Sequence, residues 1–391
     1  MTITDPGRAS RDILIIGAGP IGLAAALRLS AQGHAVRILD ARPENAARQD
    51  TRVLALSHGS RQLLETLGAW PAGAATPIET IHISQRGALG RTELRHAEYG
   101  LPALGYVLPA NALITALSER LAAQKLHVEF DARVESLAAA PDHITLGLHS
   151  ASGETRSAIG SLAVCCEGGI NTARDDDKLV SRDYDQHALL LRATPVGGHH
   201  NLARERFTPD GPIALLPLGR DYAVVWTVSP TQLAELKVLD DTTLLARLHA
   251  AFGGKVRLTD LRERSSYPLT MRLRRTTVGA RTVWLGNAAQ TLHPVAGQGF
   301  NLGLRDVWEL AETLRGSTDA GAADVLARHA RRRRADRWGT AGFTDGLVRL
   351  FSNDNTLLGH ARGAGLLALD VLPPLRHFVA KRMIFGARAW P

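Results

Sequence analysis

Near the start of the chain stands Gly17-x-Gly19-x-x-Gly22. Between a strand and a helix, the first glycine allows a sharp turn, the second lets the backbone approach a pyrophosphate, and the third lets the helix pack close to the strand. The positive end of the helix dipole then faces the phosphates. Asp40 follows at a distance suited to accepting hydrogen bonds from a ribose. The chemistry implied is dinucleotide binding. A second stretch, residues 284–303, carries Gly286-Asn287 and His293-Pro294-Val295-Ala296-Gly297-Gln298-Gly299-Phe300-Asn301-Leu302. A helix opening near Gly299 has free N–H groups that can hold the negative charge a reduced flavin develops near N1 and C2=O. Pro294 rigidifies the loop beside such a ring, while Gly297 and Gly299 permit close backbone approach. His293 is the candidate general base, with loop positioning as its alternative role.

These residues need a particular frame. Residues 13–16 form a short apolar run suited to a strand buried on both faces. Residues 23–32 read as a helix closed by Gly33, and 36–39 as the next strand, completing a β–α–β unit. Residues 48–70 read as a loop followed by a helix, 78–84 and 92–94 as strands, and 110–124 as a helix with Leu113, Leu117 and Leu121 on one face. Residues 128–137, 144–149 and 161–166 suggest a meander with a return strand. Apolar alternation dominates 188–228, with a turn at 207–212. A strand at 283–286 precedes a long helix at 299–315, and the last sixty residues look helical until Pro373-Pro374. The expectation is an α/β fold in which strands of a second sheet interrupt a Rossmann-type core. Residues 1–75, 100–175 and 265–330 would bind the cofactor, 76–99 and 176–264 the substrate, with a helical segment at 331–391.

Composition narrows the classes. The 391 residues are 45% hydrophobic and 21% charged, with 46 Lys+Arg against 38 Asp+Glu for a net charge of +8. That is a globular chain with ample core material, not a disordered or fibrous one. Only Lys125, Lys178, Lys237, Lys255 and Lys381 are lysines. The Arg331–Arg334 run is expected to be a solvated helix face, and no groove-reading motif points to nucleic acid. Cys165 and Cys166 are adjacent in an expected strand and point to opposite faces, which excludes a disulfide framework or a Cys-based zinc site. His199-His200 lacks further ligands for a metal. The first ten residues contain no apolar h-region, and residues 13–29 are too broken by glycine, proline and arginine to span a bilayer. A cytoplasmic location, peripheral on the inner membrane at most, is expected.

Further segments carry a resemblance. Asp50-Thr51-Arg52-Val53-Leu54-Ala55-Leu56-Ser57, Gly105-Tyr106-Val107, the segment from Phe207 to Pro217, Val225-Trp226 and the stretch from Gln290 to Leu302 are similar to segments of the flavin aromatic hydroxylases. Across nearly its whole length the chain resembles their ubiquinone-biosynthesis branch, most of all the hydroxylases of 2-polyprenyl-6-methoxyphenol. The resemblance implies a para-hydroxybenzoate hydroxylase-like fold and FAD held by Gly17, Gly19, Gly22, Asp40, Arg52, Val107, Gly286, Asn287, Pro294, Gly297, Gly299, Asn301 and Leu302. His293 and Pro294 would lie at the reacting ring. It implies NAD(P)H as electron donor, O₂ as co-substrate, and hydroxylation of a polyprenylated methoxyphenol through a C4a-hydroperoxyflavin. Asn287 stands where the family commonly has Asp, and its amide can make the same hydrogen bonds. The middle motif departs further, with Glu167 and Asn171 in place of Asp and Ser, while Gly168 and Arg174 are kept.

With no second glycine fingerprint, NAD(P)H would visit a surface groove transiently. Two other functions fit the same residues: hydroxylation of a soluble aromatic or secondary metabolite, and a flavin-binding subunit that stabilises a biosynthetic complex. The tail combines apolar residues with Arg376, Lys381, Arg382 and Arg388. It reads either as a helix packed on the domain or as an amphipathic surface for a bilayer or partner protein.

Overall fold

The computed structural model describes residues 12–44, 46, 49–87, 91–168, 179–254, 256–351, 368 and 370–386. Ile13–Ile16 is a central strand, hydrogen-bonded in parallel to Leu162–Cys165 on one side and Val36–Leu39 on the other. Both faces of a central parallel strand are covered, which is why its apolar run does not alternate. Val128–Glu129 extends the sheet past Val36–Leu39, and Thr282–Trp284 and Val278–Gly279 extend it past Leu162–Cys165. Helix α1 (Pro20–Ser30) lies against the sheet with Leu23, Ala24, Ala25, Ala26, Leu27 and Leu29 buried. Helix α2 (His58–Thr66) and helix α3 (Ala110–Ala123) complete this side of the core. A three-stranded antiparallel sheet, Ala132–Ala139, Ile144–Ser150 and Thr155–Gly160, covers the opposite face. Cys166 belongs to the α1 cluster and Cys165 to the other, as strand parity requires.

The second sheet has eight strands, ordered Gln290–Thr291, Leu258–Arg274, Leu179–Pro195, Asp221–Val228, Gly211–Leu218, Leu202–Thr208, Thr80–Gln85 and Arg91–Arg95. One face is covered by α4 (Pro230–Lys237) and α5 (Asp241–Phe252), which bury Leu191, Leu215, Val224 and Trp226 beneath Leu244, Leu248 and Phe252. Ser229 and Gln232 form a capping box that starts α4. The other face meets the first unit at two places. Ala203 and Ala223 pack with Ile78 and Val107, and Phe207 packs with Val295 and Val348.

Helix α6 (Gln298–Leu314) returns to the first unit, followed by α7 (Ala323–Phe351) and α8 (Pro373–Phe385). Five details differ from the sequence expectation. Residues 78–84 divide into Thr76–Ile78 and Thr80–Gln85, which join different sheets. Residues 128–137 divide likewise, between Val128–Glu129 and Ala132–Ala139, at Asp131 with its positive φ of 53°. The expected loop before α2 contains the strand Val53–Ser57, paired with Gly105–Pro109. The 17-residue strand Leu258–Arg274 and the helices α4 and α5 went unread, because helical and strand periods alternate there over short distances. Pro373 and Pro374 open α8 instead of ending the helical region, since the first turn of a helix needs no N–H donors.

Candidate active site

At the end of the first strand, Gly17 has φ +100°, and a Cβ there would lie 3.0 Å from the Cys166 carbonyl carbon. A Cβ on Gly22 would lie 1.8 Å from the Gly17 carbonyl oxygen. Both glycines are thus required by packing. Gly19 is different: a Cβ added to it would meet no protein atom within 4 Å, so this face of the turn is open. Gly19 is also the N-cap of α1, with no side-chain cap and Pro20 in the first turn. The open side of the turn therefore presents a helix N-terminus suited to an anion. Asp40 is buried beside it, its Oδ2 accepting from the Ala18 N–H at 2.7 Å and its Oδ1 from the Arg42 N–H at 2.8 Å. Burial pushes its carboxyl pKa up, but bonds from the Arg42 side chain, Arg42 backbone and Ala18 outweigh this and hold it below the usual range.

The second stretch meets this turn through small residues. Gly286, at φ +56°, and Gly303 both pack against Ile21 of α1, and a Cβ on Gly303 would come within 3.1 Å of the Gly286 Cα. Leu302 is fully buried and Asn287 half-buried, its amide making no hydrogen bond among the described residues. Pro294 adopts a helical φ of −67° and starts the short turn Val295–Gly297. Gly297, at φ +59°, caps α6 with no side-chain bond. A Cβ on Gly299 would again meet nothing. This second uncapped helix start is what a flavin carrying negative charge near N1 and C2=O requires.

His293 is 1% exposed. Its Nδ1 accepts from the Val295 N–H at 3.1 Å, and its Nε2 has no partner among the described residues. Burial pushes its pKa down to about 4, so the ring is neutral at pH 7. The Nδ1 bond ties it to the loop at Val295, and its ring stands at right angles to that of Tyr184, with centroids 5.2 Å apart.

The remaining expected residues divide. Val107 is fully buried between the units, and Arg52 is exposed, bonded to Asp50 at 2.6 Å. The Asn301 side chain is fully used: Oδ1 accepts from the Ser57 N–H and the Ser60 hydroxyl, and Nδ2 donates to the Ala55 and Gly297 carbonyls. It clasps the Val53–Ser57 strand to the α6 start, leaving only its backbone for a cofactor. Glu167 and Gly168 are exposed, while Asn171 and Arg174 lie outside the described residues. His199 spends both ring nitrogens on backbone, the Gly219 carbonyl of a neighbouring turn and the Asn201 N–H.

Sequence reasoning missed what holds this arrangement. Asp306 of α6 is buried, accepting from the Gly286 N–H at 3.2 Å, Gln290 Nε2 at 2.6 Å and Arg333 Nε at 2.7 Å. Arg337 donates to Gln290 Oε1 at 2.7 Å and to the Arg274 carbonyl at 2.9 Å. The arginine run is therefore not wholly a solvated face. Arg333 and Arg337 are each 3% exposed and grip the loop from α7, while Arg331, Arg332 and Arg334 face outward. Three- and four-residue spacing from Arg333 to Asp336 and Arg337 was the available signal.

Comparison with known proteins agrees with this geometry. Residues 10–341 match the model of the FAD binding domain family. The chain belongs to this family. FAD is its cofactor, and the two open helix starts and their glycines fit one. It is 34% identical to the ubiquinone hydroxylase UbiL of Rhodospirillum rubrum, covering 97% of this chain and 91% of the relative. It is 32% identical to the 3-demethoxyubiquinol 3-hydroxylase of Escherichia coli, covering 92% and 94%. Among solved structures, HpxO of Klebsiella pneumoniae complexed with FAD and uric acid has a TM-score of 0.76 at 16% identity, covering 97% of each chain. The p-nitrophenol 4-monooxygenase PnpA of Pseudomonas putida has a TM-score of 0.75 at 17% identity, covering 97% of this chain and all of that one. The chain is an FAD-dependent monooxygenase with the para-hydroxybenzoate hydroxylase-like fold.

Proposed function

We propose that this monooxygenase hydroxylates the ring of a polyprenylated methoxyphenol in ubiquinone biosynthesis, with NAD(P)H as electron donor. The observation that carries the reading is the 34% identity to a ubiquinone hydroxylase over nearly the full length of both chains. When bound, FAD accepts electrons from the donor and activates O₂ for transfer of one oxygen atom to the ring. The six-stranded unit holds the cofactor and the eight-stranded sheet the substrate. Gly19 and the start of α1 receive the pyrophosphate, Asp40 the ribose, and Asn287 the ribityl side. The α6 start supports the negative end of the ring, and Pro294 fixes the loop beside it. The buried Asp306–Arg333 pair keeps Gly286 and α6 in register, so the loop need not reorganise during reaction. The two clusters joining the units, around Val107 and around Val295, exclude water from the space between them.

The exposed side of α8 supports a lipid-facing role. Leu375 and Phe378 on the helix and Val371 and Leu372 just before it are 43–65% exposed, with Lys381 also exposed, while Ala380 and Ile384 are buried. No helix among the described residues is long and apolar enough to cross a membrane. A surface of this kind lets a polyprenyl substrate pass from the bilayer to the site. The deciding experiment is mass spectrometry of quinones from a strain lacking only this protein. Loss of ubiquinone with accumulation of the methoxyphenol is expected; unchanged ubiquinone overturns the reading.

A further inference from the structure

We propose that Glu205 is the residue that accepts the substrate's phenolic proton, an assignment that rests on the function proposed above. The carboxylate is placed by strand parity. Ala203 and Phe207, two residues to either side of Glu205, are on the face that meets the FAD unit, packing with Val107 and with Val295 respectively. Glu205 shares that face. It lies between the two clusters that join the units, one strand step of about 7 Å from Phe207 and hence from the packing around the flavin loop. Cross-strand register then names its row. Ile83 is opposite Glu205 on one side and Ala214 on the other, followed by Val225 and Leu190. All of them are half-buried, and none carries a charge. The result is an apolar strip, incompletely filled, with one carboxylate in it.

Glu205 has no ion pair or hydrogen bond among the described residues, and burial alone raises its pKa to about 7. An unpaired carboxylate in such surroundings destabilises the fold, and a ligand that donates a hydrogen bond relieves this. A phenol is such a ligand, and its apolar ring and side chain suit the rest of the strip. The phenol O–H bond breaks as the proton passes to Glu205. The electron pair stays on oxygen and enriches the ring carbon that receives the oxygen atom. The carbon that has gained oxygen loses its hydrogen as a proton to solvent, its C–H pair restoring aromaticity. Glu205 returns its own proton to the phenolic oxygen, and the second oxygen atom of O₂ leaves as water. The oxidant is O₂ and the reductant NAD(P)H, as in the proposed reaction.

The test uses the FAD-loaded protein, a short-chain 2-prenyl-6-methoxyphenol and its methyl ether, with binding followed by flavin absorption. Wild type is expected to bind the phenol roughly tenfold more tightly than the ether, and E205Q to bind both within about threefold. E205Q should retain FAD, hydroxylate about a hundredfold more slowly, and lose its reducing equivalents as hydrogen peroxide, with partial rescue in E205D. An E205Q protein that keeps the wild-type preference and rate overturns the role of Glu205 alone. A wild-type protein that neither binds nor hydroxylates the phenol overturns the proposed function and this assignment together.

Discussion

His293 and His329 illustrate how burial sets chemistry residue by residue. Each is 1% exposed, and burial lowers the pKa of each from 6.5 to about 4. Between those two values the unfolded chain binds more protons than the folded one, so stability rises with pH across that window. Each histidine contributes up to about 3 kcal/mol, lost as pH falls from 6.5 toward 4. Denaturant titrations from pH 4 to 7 should show this slope, and it should flatten in a His293→Asn, His329→Asn double variant. A slope unchanged in that variant would mean that carboxylates alone govern the acid limb. Gly19 and Gly22 permit a sharper contrast at the same scale. Gly19→Ala adds a methyl that meets no protein atom, so it should cost less than about 1 kcal/mol in the apoprotein. The same methyl should weaken FAD binding roughly tenfold or more if the open side of the turn takes the pyrophosphate as proposed. Gly22→Ala should instead fail to fold normally, its methyl lying against the Gly17 carbonyl. Thermal melts with and without FAD distinguish the two variants.

Among the elements, α6 and α7 matter through the ion pairs between them. Arg333 joins Asp306 to Asp336, and Arg305 reaches Asp336 at 2.8 Å. Burial pushes the Arg333 pKa down, and the two carboxylates more than restore it, so it remains charged. Removing one partner leaves an uncompensated buried charge. Asp306→Ala should therefore cost about 3–5 kcal/mol and release the Gly286 turn, giving a protein that purifies with little flavin. Normal stability and full flavin content in that variant would show that the packing of Gly286 and Gly303 on Ile21 suffices to hold the loop.

For the whole molecule, the proposed lipid contact rests on α8. It is tied down on one side, where Gly59 of α2 lies against the Ile384 carbonyl and Arg376 pairs with Glu98 at 3.3 Å. Its other side presents Leu375 and Phe378. The packed-helix reading of the tail describes the first face, and the proposed lipid contact concerns the second. Leu375→Asp and Phe378→Asp should each reduce co-sedimentation with anionic phospholipid vesicles roughly tenfold or more while leaving FAD content intact. Equal sedimentation of wild type and variants would remove α8 from the lipid contact.

The dinucleotide turn and the flavin loop were legible in the sequence because both depend on short-range constraints. Glycine at a strand–helix junction, proline in a loop and an apolar run without alternation each have few structural explanations. Tertiary structure decided the rest. Spacing to Asp336 hints at a special place for Arg333, but the helix orientation relative to Asp306 is what buries Arg333 and Arg337 and leaves Arg331 and Arg334 exposed. Asn301 carried a motif signal, but its bonding capacity is spent between two segments more than 240 residues apart. Glu205 carried no signal at all. Its surroundings arise from pairing with strands on either side and docking against another unit, and no local pattern encodes what lies across that interface.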